Sequence, residues 1–108
     1  MTFHATVLYP NEDDATFDMD YYLKTHMPLV MEKFKKHGLK RWEVLQYKPG
    51  ADGAKPKYSV GATLIFDTPE QLTAAVTTAE DAGPVFGDVP NFSNKSPVFL
   101  GGALVGTS

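Results

Sequence analysis

One histidine stands where a titratable side chain is expected to face the protein interior. His26 lies in YYLKTHMPLV (21–30), two positions before Pro28. With about 100° of rotation per helical residue, it lies roughly 60° from the centre of an apolar stripe. Tyr22 lies one turn earlier on the same flank. An imidazole titrates near neutral pH, so His26 is a candidate for general acid–base catalysis. The alternative is a structural histidine that its neighbours satisfy.

The proline next to this histidine predicts a disturbance of the helix. Pro28 cannot donate a hydrogen bond to the carbonyl of Lys24, and its ring clashes with that carbonyl. It also disfavours helical angles at Met27. We therefore expect two helical pieces that meet at His26-Met27 and leave backbone carbonyls free beside the imidazole, which suits a polar pocket. If Pro28 only begins the second piece, the bend has no functional meaning.

Two aromatic residues elsewhere in the chain are candidate pocket residues. Tyr9 lies at the end of the first predicted strand, where its phenol can act with His26 and hydrogen-bond a carbonyl or phenolate oxygen. Trp42 begins the second predicted strand and is a candidate pocket wall. For Tyr9 the alternative is an aromatic residue that packs at the end of the sheet. For Trp42 it is a core or dimer contact.

The segment DVPNF (88–92) places polar and aromatic side chains before the last predicted strand. Asp88 can orient a histidine or bind a hydroxyl, and Asn91 offers both a donor and an acceptor. Phe92 is a third substrate-binding candidate in this segment. On local grounds the same residues also fit an ordinary turn in which Asp88 bonds nearby backbone amides.

The residues before Gly38 predict the strand and the helix that position these side chains. FHATVLY (3–9) is rich in β-branched and aromatic residues and stops at a proline, which is typical of a strand. After a polar loop, Asp18 fits an N-cap. Gly38 fits the C′ position, so the helix is expected to end near residue 37. Four apolar residues recur at helical spacing and form its predicted buried stripe: Leu23, Met27, Val30 and Phe34.

Three further strands and one further helix are predicted. RWEVLQYK (41–48) and KYSVGATLIF (57–66) are strands joined by the turn-rich loop 49–56, and a last strand lies within 96–106. The helix begins with Thr68 as N-cap, Pro69 at the first helical position and Gln71 completing a capping box. Gly83-Pro84 is expected to end it.

The resulting order, β-α-β-β-α-β, is that of the split βαβ, ferredoxin-like α+β fold. We expect a four-stranded antiparallel sheet with both helices on one face. The strand 57–66 carries apolar side chains on both of its faces, so the second face also needs a cover. In so short a chain the expected cover is a second copy, which predicts a homodimer.

The composition excludes several classes of function. The 108 residues suit one domain, 1–108, with no second core. The net charge of −3 is spread along the chain, so no nucleic-acid partner is expected. There are no cysteines, and the three histidines are not at ligand spacing, so no metal site is expected. No signal peptide or membrane-spanning stretch is predicted, and a cytoplasmic location is the default.

Through three motifs, taken in order, the sequence resembles the EthD-like family, a part of the dimeric α+β barrel superfamily. The family is named for a protein of ethyl tert-butyl ether degradation. The motifs are LYP (8–10), FDMDYYLKTHMPLV (17–30) and DVPNFSNKSPV (88–98). The resemblance covers nearly the whole chain, and the loop 49–56 is its least distinctive part.

The resemblance implies a ferredoxin-like monomer that pairs sheet to sheet with a second copy and holds a pocket between its sheet and helices. It also implies a link to the oxidative breakdown of small organic compounds and to oxidoreductase activity. Relatives in the superfamily include cofactor-independent monooxygenases, cyclases, isomerases, decarboxylases and dehydratases. At the matching positions the resemblance favours pocket roles for four residues: His26, Tyr9, Tyr22 and Asp88.

The principal hypothesis is a small homodimeric enzyme that acts on a hydrophobic, oxygen-bearing molecule without a metal or other cofactor. The reaction is proton transfer, dehydration, decarboxylation or oxygenation. His26 is the general acid or base, Tyr9 and Tyr22 hold the substrate oxygen, and Asp88 or Asn91 orients the partner groups. The alternative is a non-catalytic protein that binds the ligand for a partner oxygenase. A third hypothesis is a structural barrel whose pocket is too occluded to bind anything.

Overall fold

The strands form one antiparallel sheet. The computed structural model describes all residues, 1–108. The strands are β1 (Phe3–Pro10), β2 (Arg41–Gln46), β3 (Tyr58–Phe66) and β4 (Val98–Ala103). Their order across the sheet is β2-β3-β1-β4, and every neighbouring pair is antiparallel. Together with the order of helices along the chain, this is the ferredoxin-like fold, and the predicted fold class is confirmed.

The helices lie in the two connections that join β1 to β2 and β3 to β4. The first connection contains α1 (Met19–Tyr21), a π segment (Tyr22–His26), α2 (Met27–Phe34) and a 3₁₀ turn (Lys35–His37). The second contains α3 (Pro69–Thr77), α4 (Ala79–Gly87) and a 3₁₀ turn (Val89–Asn91). None of these helices is long and apolar enough to cross a membrane.

The predicted ends of the first helix and the predicted start of the second are confirmed. The Asp18 carboxylate accepts a hydrogen bond from the backbone N–H of Tyr21 at 3.1 Å, which satisfies one of the unpaired donors of the first turn. Gly38 ends the 3₁₀ turn with φ 109°, in the left-handed region that favours glycine. Thr68 and Gln71 form the reciprocal capping box at the start of α3.

Two helical pieces do meet at His26-Met27, since the π segment ends at His26 and α2 begins at Met27, but the expected break in the backbone there is wrong. Met27 keeps helical angles, φ −66° and ψ −38°, and its N–H donates to the carbonyl of Tyr22, five residues earlier. The chain therefore meets the proline with a wider π turn instead of a break. Pro28 then falls in the first turn of α2, where a missing backbone N–H costs least.

The π turn also changes which residues form the buried stripe. Leu23, a predicted core residue, is 40% exposed, whereas Tyr22 is 1% exposed and His26 is 4% exposed. One extra residue in the turn places Tyr22, rather than Leu23, over Met27 on the core side. The remainder of the predicted stripe, Val30 and Phe34 included, is buried.

The expected end of the second helix at Gly83-Pro84 is also wrong, because two short helices meet at Thr78. The backbone of Thr78 is extended (φ −84°, ψ 103°). Its hydroxyl donates to the carbonyl of Ala74 at 2.7 Å, a local bond that competes with continued helix. Pro84 lies inside α4. It lies past the first turn of α4, so it removes one intrahelical hydrogen bond there.

The two faces of the sheet have different surroundings. The helices cover the inner face, where Ala5, Val7 and Val60 belong to one continuous hydrophobic core. On the opposite face, large apolar side chains are exposed to solvent: Leu45 at 59%, Leu100 at 56% and Val98 at 39%. The alternation of side chains along each strand places all three residues on that outer face, Leu45 on the edge strand β2 and Val98 and Leu100 on the opposite edge strand β4.

Candidate active site

A cavity of about 360 Å³ lies between the inner face of the sheet and the helices. Eighteen residues line it, and all of them except His26 and Gly101 are hydrophobic. A mostly apolar wall with a few converging polar groups is typical of small-molecule sites, and this volume lies in their lower range.

Small residues on three neighbouring strands make room for this cavity. Ala5 of β1 lies opposite Gly101 of β4, and Ala62 of β3 lies opposite Val7 of β1. All four line the cavity. Larger side chains at the alanine and glycine positions would fill the space above the sheet. The floor of the cavity is therefore determined by the strands.

Two phenylalanines lie where the cavity meets solvent. Phe86 of α4 and Phe99 of β4 both line it, and they are 38% and 51% exposed. Their ring centroids are 5.7 Å apart and their planes are at 78°, which is the edge-to-face arrangement that aromatic pairs prefer. The mouth of the cavity is therefore apolar.

The polar end of the cavity is a histidine–aspartate pair. His26 is the last residue of the π segment, and Asp88 follows α4 directly. The distance from Nδ1 of His26 to Oδ2 of Asp88 is 2.9 Å. The other carboxylate oxygen, Oδ1, accepts hydrogen bonds from the Tyr21 hydroxyl at 2.6 Å and from the Asn91 side-chain amide at 2.8 Å. The carboxylate has no lysine or arginine partner.

The surroundings of this pair determine its protonation. Burial raises the pKa of Asp88, but its hydrogen-bond donors outweigh burial and hold the pKa below the ordinary value. Burial lowers the pKa of His26, and the opposing effect of Asp88 is smaller. Near neutral pH the pair is thus a carboxylate and a neutral imidazole. Because a carboxylate can only accept, the hydrogen is assigned to Nδ1 and the lone pair to Nε2.

Aromatic rings hold the imidazole in place. The rings of His26 and Tyr22 are stacked, with centroids 5.3 Å apart and planes at 12°. On another side the Phe92 ring lies 4.5 Å from the imidazole. Nε2 has no hydrogen-bond partner in the chain. Because no fully buried polar side-chain atom lacks a partner, Nε2 must be accessible. Since His26 lines the cavity, Nε2 is the nitrogen that a molecule in the cavity reaches.

Two phenols lie near this imidazole on the cavity wall. Tyr9 and Tyr22 both line the cavity, and their ring centroids are 5.8 Å apart. Burial raises the pKa of Tyr9 to about 12, against the smaller effect of the Tyr22 hydroxyl. Burial, followed by the neighbouring Tyr9, raises the pKa of Tyr22 still further. Both hydroxyls therefore stay protonated. They interact with each other, so one hydroxyl hydrogen is used within the pair and the other is available to an oxygen of a bound molecule.

The structure brings most of the residues proposed from the sequence into one cluster. Three line the cavity itself: His26, Tyr9 and Tyr22. Three others lie behind the imidazole and contact it or its carboxylate: Asp88, Asn91 and Phe92. Trp42 lies apart from this cluster. It lies on the edge strand β2, opposite Leu64 of β3. Its half-buried side chain packs against the core and does not line the cavity.

Sequence reasoning missed Tyr21, Phe86 and Phe99. Tyr21 donates the shortest hydrogen bond to the Asp88 carboxylate, yet its position beside Tyr22 gives no hint of a partner 67 residues later. The two phenylalanines flank the DVPNF segment along the chain, and their clustering around it was the available signal. No three histidine, aspartate or glutamate side chains lie together so as to hold a metal ion.

The sequence matches the family model of the EthD domain over residues 9–96. No curated protein matches the chain. Among solved structures, an EthD-like protein from Ralstonia eutropha JMP134 is 27% identical with a TM-score of 0.88, over 99% of this chain and 95% of that one. An ethyl tert-butyl ether degradation (EthD) family protein from Bacillus halodurans C-125 is 22% identical with a TM-score of 0.73, over 97% and 100%.

A more distant relative shares the fold. SnoaB, a cofactor-independent oxygenase from Streptomyces nogalater, is 10% identical with a TM-score of 0.65, over 98% of this chain and 93% of that one.

Proposed function

This chain belongs to the EthD family, and from that premise we propose that it is a small enzyme that transfers a proton to or from a hydrophobic, oxygen-bearing molecule bound in the cavity. The proposal assigns no metal or nucleotide to the reaction. Its natural substrates are organic compounds that undergo oxidative degradation, in keeping with the name of the family's Bacillus halodurans member.

One observation carries the proposal: the buried His26 imidazole, paired with the partly buried Asp88 carboxylate, lies at the polar end of an otherwise apolar cavity. His26 Nε2 accepts a proton from an acidic O–H or C–H of the substrate, and Asp88 stabilises the imidazolium that forms. The Tyr9 hydroxyl donates to the substrate oxygen on which negative charge develops. Such a step serves enolisation and dehydration, and it also generates the electron-rich anion that reacts with oxygen.

We propose that the working form is a homodimer in which two outer sheet faces pack together. The support is the set of large apolar side chains exposed on this face, Leu45, Val98 and Leu100, since exposed apolar surface is a common sign of a protein interface. Leu45→Glu and Val98→Glu place charges on that face. Light scattering after gel filtration should report a dimer for the unchanged protein and a monomer for the double variant.

The catalytic proposal is tested by proton exchange. A panel of hydrophobic compounds with an acidic C–H beside a carbonyl is incubated with the protein in D₂O, and deuterium uptake is followed by mass spectrometry. Exchange should be catalysed by the unchanged protein and lost in His26→Ala and His26→Gln. His4→Gln is the matched control, because His4 lies outside the cavity and bonds only Thr2.

Two results would contradict the catalytic proposal. Full exchange activity in His26→Gln would make the histidine structural. Saturable binding of the panel compounds without exchange would favour the alternative, a carrier that presents its ligand to a partner oxygenase. Ala62→Leu, which extends a side chain into the cavity from its floor, should abolish binding in either case and so shows that the cavity is the site.

A further inference from the structure

We infer that the cavity selects a neutral ligand that donates a hydrogen bond through a phenolic or enolic O–H, and that it rejects carboxylates and ethers of the same shape. This inference rests on the proposed function, because it takes the cavity as the ligand site. It goes further by naming the chemical group that must meet the imidazole.

The neutral His26 ring carries its hydrogen on Nδ1. Both oxygens of Asp88 are occupied by donors: Oδ2 by the imidazole, and Oδ1 by Tyr21 and Asn91. A carboxylate with no hydrogen to give requires one on Nδ1 of His26. The second nitrogen, Nε2, then presents a lone pair to the cavity. A ligand atom placed against Nε2 must therefore bring its own hydrogen.

The cavity offers no positive charge to an anionic ligand. No lysine or arginine lines the cavity. The formal charge closest to the imidazole is the negative carboxylate of Asp88, 2.9 Å behind it. An anionic ligand would lose its hydration on entering the apolar chamber and would gain no cation in return. Burial keeps the pKa of His26 below its ordinary value, so the imidazole does not supply that cation at neutral pH.

A ligand that only accepts hydrogen bonds leaves Nε2 of His26 without a partner. An ether oxygen can take a hydrogen bond from Tyr9 or Tyr22, since both phenols keep their hydrogens. It cannot satisfy Nε2 of His26. A lone pair buried against an apolar ligand without a partner is costly. A hydroxyl satisfies both kinds of group, because it donates to the imidazole and accepts from a phenol.

Three probes of one shape separate these cases: 2-naphthol, 2-methoxynaphthalene and 2-naphthoate. Their affinities for the full-length protein are measured by calorimetry at pH 7.5. We expect 2-naphthol to bind at least about tenfold more tightly than either of the others, as the loss of one buried hydrogen bond implies. Equal affinities for the naphthol and its methyl ether, a preference for the carboxylate, or no saturable binding of any probe would overturn the inference.

Variants show whether His26 is the source of the selectivity. His26→Phe keeps a ring in the aromatic cluster but removes the acceptor, so the preference for 2-naphthol over its methyl ether should fall to about twofold or less. Asp88→Asn leaves the hydrogen free to occupy either nitrogen and should weaken the preference even if His26→Phe does not fold. His4→Gln should leave it unchanged. Retention of the preference in both site variants would place its origin elsewhere.

The outcomes of the two experiments are independent. Selective binding of 2-naphthol without proton exchange of any compound would leave this inference standing and remove the catalytic proposal. Proton exchange that depends on His26, with no selectivity among the three probes, would leave the catalytic proposal standing and remove this inference.

Discussion

The molecule contains two histidine–aspartate pairs with nearly the same distance between the ring nitrogen and the carboxylate oxygen. In the first, Nδ1 of His26 lies 2.9 Å from Asp88, and in the second, Nε2 of His37 lies 2.7 Å from Asp81. Asp81 lies within α4 and Asp88 directly follows it, whereas both histidines belong to the connection between β1 and β2. The pairs differ in what surrounds them.

The second pair includes a cation and lies away from the cavity. Lys36 donates to Oδ1 of Asp81 at 2.8 Å, so this carboxylate is shared by two basic side chains that join the end of the first helical segment to α4. In the first pair the remaining donors are a phenol and an amide, and the imidazole lines the cavity. A histidine–aspartate pair is thus insufficient to mark a site. The neutral co-donors and the adjoining cavity are what distinguish His26.

Replacing each histidine with alanine gives the largest expected difference between the pairs. His26→Ala should reduce turnover by about 10²- to 10⁴-fold, the usual contribution of a general acid or base. His37→Ala should leave turnover within about twofold, since its ring does not line the cavity. Steady-state kinetics on a substrate found by the exchange assay measures both. Equal losses in the two variants would mean that the pairs have the same role.

For the stability of the fold, in contrast to turnover, the pair formed by His37 and Asp81 should matter. Hydrogen bonds from Lys36 and His37 lower the pKa of Asp81 against the opposing effect of burial. The link therefore stabilises the fold at neutral pH and is lost as the pH falls through that lowered value. Asp81→Asn should lower the melting temperature by several degrees at pH 7 and by less at acid pH, with no change in ligand affinity. A tenfold change in affinity would contradict this assignment.

The pH dependence of turnover should identify the first pair. Because burial lowers the pKa of His26, kcat/KM should rise with pH through an inflection below the ordinary histidine value of about 6.5 and stay level through neutrality. Asp88 opposes the effect of burial, so Asp88→Asn should move the inflection to lower pH. An NMR titration of the His26 ring provides the same pKa without a substrate. An inflection above the ordinary value would be inconsistent with a buried neutral imidazole.

The smallest expected effect belongs to Tyr21. Tyr21→Phe removes the 2.6 Å hydrogen bond to Asp88 and should reduce turnover by about two- to tenfold, the contribution of one ordinary hydrogen bond, because the phenol acts on the imidazole only through Asp88. The pKa of Asp88 should rise, because a donor to its charged form is gone. Tyr58→Phe, on β3 outside the cavity, is the matched control. If Tyr21→Phe shifts neither the pKa of Asp88 nor turnover, the phenol does not position the carboxylate.

The parts of the fold that depend on residues close together along the chain could be predicted from the sequence. Asp18, Gly38 and the Thr68–Gln71 capping box act within one helical turn, and each has its predicted role. The inward position of His26 also follows from helical periodicity. The order of the strands and the sheet with one covered face follow from the pattern of apolar segments.

The site itself depends on contacts that local sequence does not contain. Asp88 meets His26 across 62 residues, and only the packing of α4 against the first helical segment brings them together. The sequence indicated each as a candidate without showing that they form a pair. The predictions of a backbone break before Pro28 and of a helix end at Pro84 were wrong because proline has two outcomes, a break or a local adjustment, and tertiary packing decides between them.

The π turn constrains the number of residues in the helical segment between Asp18 and Gly38. Leu23, Lys24 and Thr25 are exposed within it, so their side chains are open to substitution. Their number is constrained, because Asp18 fixes the start of the helix and Gly38 fixes its end. Deleting one of them would restore ordinary α-helical spacing and turn one end of the helix by about 100° against the other. Along this stretch the spacing of residues, more than their identity, keeps His26 facing Asp88.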